Sequence, residues 1–109
     1  MTTSVLKSQP TKGVGQSVTT IFTADATVTA TIIGLNVSNT GPTNLFATVQ
    51  LKRGGVAYSI LTKGLVPPGN SLSVIGVEGK IVAMPNDIIQ AFNDTGSMDT
   101  ILSYLEQTP

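Results

Sequence analysis

At 109 residues the chain is long enough for one two-layer core and too short for two. Charged residues make up 11% of it and hydrophobic ones 40%, whereas a soluble domain of ordinary composition carries roughly 25% charge. Six basic and six acidic side chains cancel and cluster nowhere beyond Lys52-Arg53, which argues against a nucleic-acid surface, and no apolar run approaches the roughly 20 residues that span a bilayer. With a mean hydropathy of +0.27, the surface has to consist of hydroxyls, amides and exposed aliphatics. Such a surface is expected to be covered by neighbouring subunits, so the composition predicts a homo-oligomer.

Residues 1–16 read as an N-terminal arm. Val5 and Leu6 are suited to a short edge strand, but Pro10-Thr11-Lys12-Gly13-Val14-Gly15 is expected to interrupt any regular element. Two states fit: a leader that nothing ties down, or an arm that orders only by lying across a neighbour. The stretch lacks the apolar centre of a secretory signal, so export by the usual route is not expected.

Residues 17–109 read as the folded domain. Ser17–Thr23 alternates as a strand with Val18, Thr20 and Phe22 on one face, and Ala24-Asp25-Ala26 is a turn. Thr27–Asn39 and Asn44–Arg53 are dense in β-branched and apolar residues and flank Gly41-Pro42, which predicts a central antiparallel hairpin. On the first limb apolar residues fall on both faces: Ile33, Leu35 and Val37 on one, Val28, Ala30 and Ile32 on the other. On the return limb Leu45, Ala47, Val49 and Leu51 alternate with polar residues, and Phe46 is the exception.

Gly54-Gly55 suits a tight hairpin because both residues can take positive φ. Val56–Thr62 is the next strand, and Lys63–Asn70, with Pro67, Pro68 and Gly69, is a loop. Ser71–Val77 resumes a strand, Glu78-Gly79 turns, and Lys80–Met84 is short. Pro85-Asn86-Asp87 precedes a strand at Ile88–Asn93, and Asp94–Ser97 turns into Met98–Glu106. That last segment could be a short helix capped by Ser97, but nine isolated residues make a marginal helix and the alternation favours a strand. About eight short strands with turns roughly every 8 to 12 residues predict an all-β fold, a single-domain antiparallel β-sandwich with the extended arm preceding it.

The residue inventory limits the chemistry. With no histidine and no cysteine, imidazole- and thiolate-based catalysis and the usual zinc arrangements are impossible. Asp87, Asp94 and Asp99 lack the spacing of a preformed calcium loop and read as turn residues that bond their own backbone. Gly13–Ser17 lacks the ending of a phosphate loop. Asn36-Val37-Ser38 and Asn93-Asp94-Thr95 match the glycosylation tripeptide and read as strand-end and turn asparagines. The sequence therefore calls for no catalytic residue, no cofactor and no metal, and the chain is not expected to be an enzyme. Tyr58, Tyr104 and Phe46 could form an aromatic patch for a sugar or a partner, but with so few aromatic residues in the chain the favoured reading is that these rings plug the ends of the sandwich or a subunit contact. Val5, Leu6, Phe46 and Tyr58 are the candidate interface residues.

Five stretches resemble small virion structural proteins of tailed bacteriophages, especially those infecting cyanobacteria and marine bacteria. They are Val5–Ser8, Ile33–Asn39, Val49–Gly55 with Tyr58, Val66–Leu72 and Asp99–Glu106, which are spread along nearly the whole chain. The resemblance implies a non-enzymatic, many-copy part of a phage particle, made in the host cytoplasm and located in the virion. Its expected partners are the major capsid protein or other virion proteins and further copies of itself. A capsid decoration or cement protein is the leading expectation, with a tail or baseplate component and a receptor- or glycan-binding module as alternatives.

Overall fold

The computed structural model describes residues 3–75 and 79–108. Its strands are β1 (Thr3–Val14), β2 (Thr19–Thr23), β3 (Thr29–Asn39), β4 (Leu45–Arg53), β5 (Val56–Val66), β6 (Ser71–Ile75), β7 (Ile81–Ala83), β8 (Ile88–Asn93) and β9 (Met98–Thr108). They form two antiparallel sheets, one ordered β1-β9-β3-β6 with β7 also on β3, the other β2-β8-β4-β5. β6 pairs with the Leu35–Ser38 half of β3 and β7 with the Ala30–Ile32 half, so the two act as one interrupted edge strand. The pairings nest: β1 with β9, β2 with β8, β3 with β6 and β7, β4 with β5. A chain folded as one long hairpin and rolled into two layers has this order, which is the double-sheet jelly roll.

The rolling follows from burial. Ala30, Ile32, Leu35 and Val37 of β3 and Met98 and Leu102 of β9 form one inner face, and Leu45, Ala47 and Val49 of β4 with Ile89 and Ala91 of β8 form the other. All belong to one core cluster. Phe22 and Tyr104 close one end of it, their ring centroids 4.6 Å apart at 56°. The all-β antiparallel sandwich expected from the turn spacing is the architecture observed. Gly54 and Gly55 take φ of 59° and 80° and close the tight β4-β5 hairpin, and Met98–Thr108 is a strand, as the alternation predicted.

The structure corrects several readings. Thr27–Asn39 and Asn44–Arg53 do not pair with each other: β3 and β4 lie in opposite sheets, and the connection between them passes from one layer to the other. Asn39, buried at the end of β3, holds that crossing. Its Nδ2 donates to the Thr43 and Val66 carbonyls at 2.7 and 2.9 Å, and its Oδ1 accepts from the Gly41 amide at 2.9 Å. The apolar residues on both faces of β3 have a local cause, since the register against β9 shifts between Ile32 and Gly34. This bulge ejects Ile33 and changes phase, so that Ala30, Ile32, Leu35 and Val37 all point inward. A similar shift in β2 buries Ile21 beside Phe22, and Val18 lies outside the strand and exposed.

Lys63 and Gly64, expected in a loop, lie within β5. A bulge there puts Lys63 at φ 51°, its amide donates to Thr48 Oγ1 at 3.3 Å, and the loop begins only at Pro67. At the N-terminus, Pro10 does not interrupt β1. The strand runs through it on the edge of the sheet, where a missing N–H need not break a ladder. The strand end expected at Val77 and the turn at Glu78 lie outside the described residues.

Two polar clusters fix the ends of the sandwich. Buried Asn93 donates from Nδ2 to the Val14 carbonyl at 2.8 Å, and its Oδ1 accepts from Gln16 Nε2 and the Thr95 and Gly96 amides at 2.9, 3.1 and 2.8 Å. At the other end the Asp87 carboxylate, 3% exposed, takes two bonds from Arg53 Nε at 2.9 and 3.0 Å and one from Nη2 at 2.6 Å. It also accepts the Met84 amide at 2.8 Å. The Arg53 hydrogen bonds hold the Asp87 carboxyl below its usual range against the opposing effect of burial, and the same bonds raise Arg53.

These contacts generate three expectations. A carboxyl whose pKa is lowered on folding stabilises the fold above its unfolded pKa, ordinarily 3.8, and that contribution is lost as pH falls through the lower folded value. Thermal melts should therefore show the Asp87→Asn chain losing about 1.5–3 kcal/mol at neutral pH, with a smaller further loss on acidification than the parent. Asn93→Ala should cost about 1–3 kcal/mol in denaturant titration, because it strands the Val14 carbonyl. Thr100 is 1% exposed and its Oγ1 has no hydrogen-bond partner, so Thr100→Val should raise the melting temperature rather than lower it.

Candidate assembly surfaces

The three candidate aspartates are committed to structure. Asp87 is fully engaged by Arg53 and Met84, Asp94 Oδ1 accepts the Phe46 amide at 2.9 Å, and Asp99 accepts the Gly13 amide at 2.9 Å while pairing with Lys12. Asp94 and Asp99 bond remote strands instead of their own turns, against the sequence reading, whereas Asp87 bonds the Met84 amide of its own turn as well as Arg53, and Asp25 bonds the neighbouring Ala26 amide. Among the described residues no three acidic side chains group to hold a metal. Asn93 is buried and its amide nitrogen donates to the Val14 carbonyl, so it is closed to modification in the folded chain, whereas Asn36 lies exposed on β3.

The feature that calls for explanation is the outer face of the β1-β9-β3-β6/β7 sheet. Because Met98, Thr100, Leu102 and Tyr104 of β9 point inward, Ile101, Ser103 and Leu105 point out. Strand register then sets two rows across the sheet. One is Leu6, Leu105, Thr31, Val82, and the other is Pro10, Ile101, Asn36, Ser73. Between them Ser8, Ser103 and Gly34 form a low strip. There Ile33, Ile101, Asn36 and Ser73 wall a shallow hollow of about 250 Å³ over Gly34. A Cβ at Gly34 would touch only Ser103, at 3.9 Å, so the hollow has room for a side chain from outside.

Leu6 is 70% exposed, Ile101 53%, Val82 48% and Ile33 41%. Asp99, at one end, is the only ionisable side chain in the paired positions of these strands on this face, and Lys12 already neutralises it. An aliphatic surface ruled by hydroxyls and amides, with one ion pair among its described paired positions, is poorly suited to face water and well suited to face another protein.

The opposite outer face, on β2-β8-β4-β5, differs. Phe46, paired with Leu65, and Phe92, paired with Thr48, lie beside a second hollow of about 240 Å³, whose rim carries Lys63 and Asp94. Gln90 Nε2 donates to Gln50 Oε1 at 2.8 Å farther along the same face.

The four candidate interface residues are all exposed, and they do not converge. Leu6 is on the outer face of the first sheet, Val5 on the reverse side of the same strand, Phe46 on the outer face of the second sheet, and Tyr58 near the tip of the β4-β5 hairpin opposite Leu51. The aromatic patch of Tyr58, Tyr104 and Phe46 does not form, because Tyr104 is 7% exposed and packed on Phe22. Sequence reasoning missed Ile33, Val82, Ile101 and Leu105. Ile101 and Leu105 carried a usable signal, since both phases of β9 are apolar and only one can face a core.

No protein-family model and no curated protein sequence matches the chain. Its fold is similar to that of a chain from Bacillus endospore appendages, which form disulfide-linked pili: TM-score 0.58, 15% identity, 99% of this chain and 89% of that one covered. It is equally similar to a chain of the acid-stable capsid of Helicobacter pylori bacteriophage KHP30, with TM-score 0.58, 11% identity, and coverage of 100% and 94%. At these identities the likeness is one of fold, and it spans the whole jelly roll in both cases.

Proposed function

We propose that the chain is a structural subunit of a bacteriophage virion, present in many copies, and that it acts as a capsid decoration or cement protein. The observation that carries this reading is the charge-poor outer face of the β1-β9-β3-β6/β7 sheet, where exposed aliphatic side chains sit among hydroxyls and amides and the Lys12–Asp99 pair lies at one end. The full-length fold likeness to a phage capsid chain and to a pilus chain supports it, because capsids and pili are both repeating assemblies.

In this role the chain performs no reaction. It has no imidazole or thiol, and Asp87, Asp94 and Asp99 are engaged in holding turns. Its partners are the major capsid protein or other virion proteins and neighbouring copies of itself, and its place is the virion after synthesis in the host cytoplasm. Many identical contacts, each modest, add up across a shell because every subunit is tethered by its neighbours. A tail or baseplate component would use the same surface chemistry and differs only in location. A glycan-binding module is disfavoured by the separation of Tyr58, Tyr104 and Phe46.

Immunogold labelling of purified particles is expected to coat the head. Label confined to the tail would replace the decoration role with a tail role, and particles without the protein would overturn the virion reading. Leu6→Glu with Ile101→Glu places charge on side chains that are 70% and 53% exposed in the free subunit. That variant should keep the parent's circular dichroism and melting temperature and lose particle-bound protein; undiminished incorporation would contradict the assignment of this face.

A further inference from the structure

The strand β1 is unlike the others in how it is held. All eight residues from Thr3 to Pro10 are exposed, on both sides of the strand, so none adds to the core. Their one neighbour is β9, through a ladder that pairs Thr3 with Thr108 and runs in step to Thr11 with Thr100. The side chains add a Lys7–Glu106 ion pair of 3.1 Å on the surface. Such a pair contributes little, and a strand held by one ladder with neither face buried is marginal by itself.

The base of the strand is built differently. The register breaks between Thr11 and Val14, Gly13 takes φ 70°, and Val14 is 1% exposed in the core. Gly13, whose amide Asp99 accepts at 2.9 Å, and the anchored Val14 form a root about which the strand before them can swing. Beyond it β9 offers a slot whose hydrogen-bonding register fits this segment, and every copy of the chain carries the same segment and the same slot.

We propose that Thr3–Thr11 is a strand-exchange element, which leaves its own β9 and pairs in the same register with β9 of a second copy of this chain. The ladder lost within one copy is regained in the other, so exchange is close to neutral in its pairing energy. Leu6 and Val5, 70% and 45% exposed in the single chain, meet the same β9 positions in either form, so what favours exchange is the high concentration of copies in an assembly. The inference concerns how copies of the chain join and does not depend on the assembly being a virion.

The chain has no cysteine of its own, which makes the test clean. Ser8 lies opposite Ser103, and directly opposed residues on antiparallel strands fall within the Cα separation that a disulfide can bridge. Purified Ser8→Cys and Ser103→Cys chains, distinguishable in mass, are mixed at high concentration and oxidised. Exchange predicts a disulfide-linked heterodimer joining position 8 of one chain to position 103 of the other. Ser8→Cys mixed with Ser71→Cys, whose position lies on β6, should give no such species.

The double variant, Ser8→Cys with Ser103→Cys, is oxidised while dilute to lock β1 onto its own β9. It should keep the parent's fold by circular dichroism and lose its concentration-dependent association, and reduction should restore it. Heterodimer no more abundant than in the Ser71→Cys control, or a locked chain that associates like the parent, would overturn the exchange. Neither result would bear on where the protein sits in a particle, which the immunogold labelling decides separately.

Discussion

Everything in this molecule depends on burying one apolar face of each strand between two sheets, because the chain has little else to hold it. It has no cysteine and few charges, and its best ion pair, Arg53–Asp87, works as a local clamp on the turn between β7 and β8. The nested pairing that ends in the Gly54-Gly55 hairpin lets a chain of this length do so, since each pair of strands lands opposite the layer it must cover. Bulges adjust the phase where the sequence and the core disagree. The one at Ile33 preserves four inward residues on β3 at the expense of sending one isoleucine outward.

That expense is where structure becomes function. Ile33, Ile101, Leu105, Val82 and Leu6 cannot reach the core, and strand register gathers them on one sheet face with serines, threonines and asparagines between them. In a monomer this face would be a solubility liability. In a repeating assembly it is a contact surface whose charge is confined to the Lys12–Asp99 pair at one end, and the shallow hollow over Gly34 gives it relief that a neighbour can engage. The same economy applies at the N-terminus, where a long strand is laid down with neither face buried and a glycine hinge at its base. Both features have a natural explanation if the subunit is completed by its neighbours.

The sequence revealed the elements that rest on local chemistry. Gly54-Gly55 announced a tight hairpin, Phe46 stood out as the apolar residue on a polar face, and the alternation from Met98 onward distinguished a strand from a short helix. What it concealed depends on the tertiary partner. Thr27–Asn39 and Asn44–Arg53 have the composition of a hairpin, and only the buried Asn39 side chain, bonded across to Val66, shows that the chain passes between layers there. The bulge at Ile33 is a shift of pairing against β9, and no period read along one strand can contain it. Pro10 looked like an interruption because its edge position was not visible. That Tyr104 plugs the sandwich was among the readings its alternation allowed, but its partner Phe22 was not visible, because their packing joins residues far apart in sequence.

If the subunit works as proposed, the exposed edge and face formed by β1 and β9 are interior surfaces of an assembly. Hydrogen–deuterium exchange compared between the free subunit and the subunit in purified particles tests it most directly. The account predicts that the amides of Thr3–Thr11 exchange quickly in the free chain and become strongly protected in the particle, while those of Leu45–Val49, already in the core of the sandwich, change little. Equally fast exchange of Thr3–Thr11 in both states would contradict it.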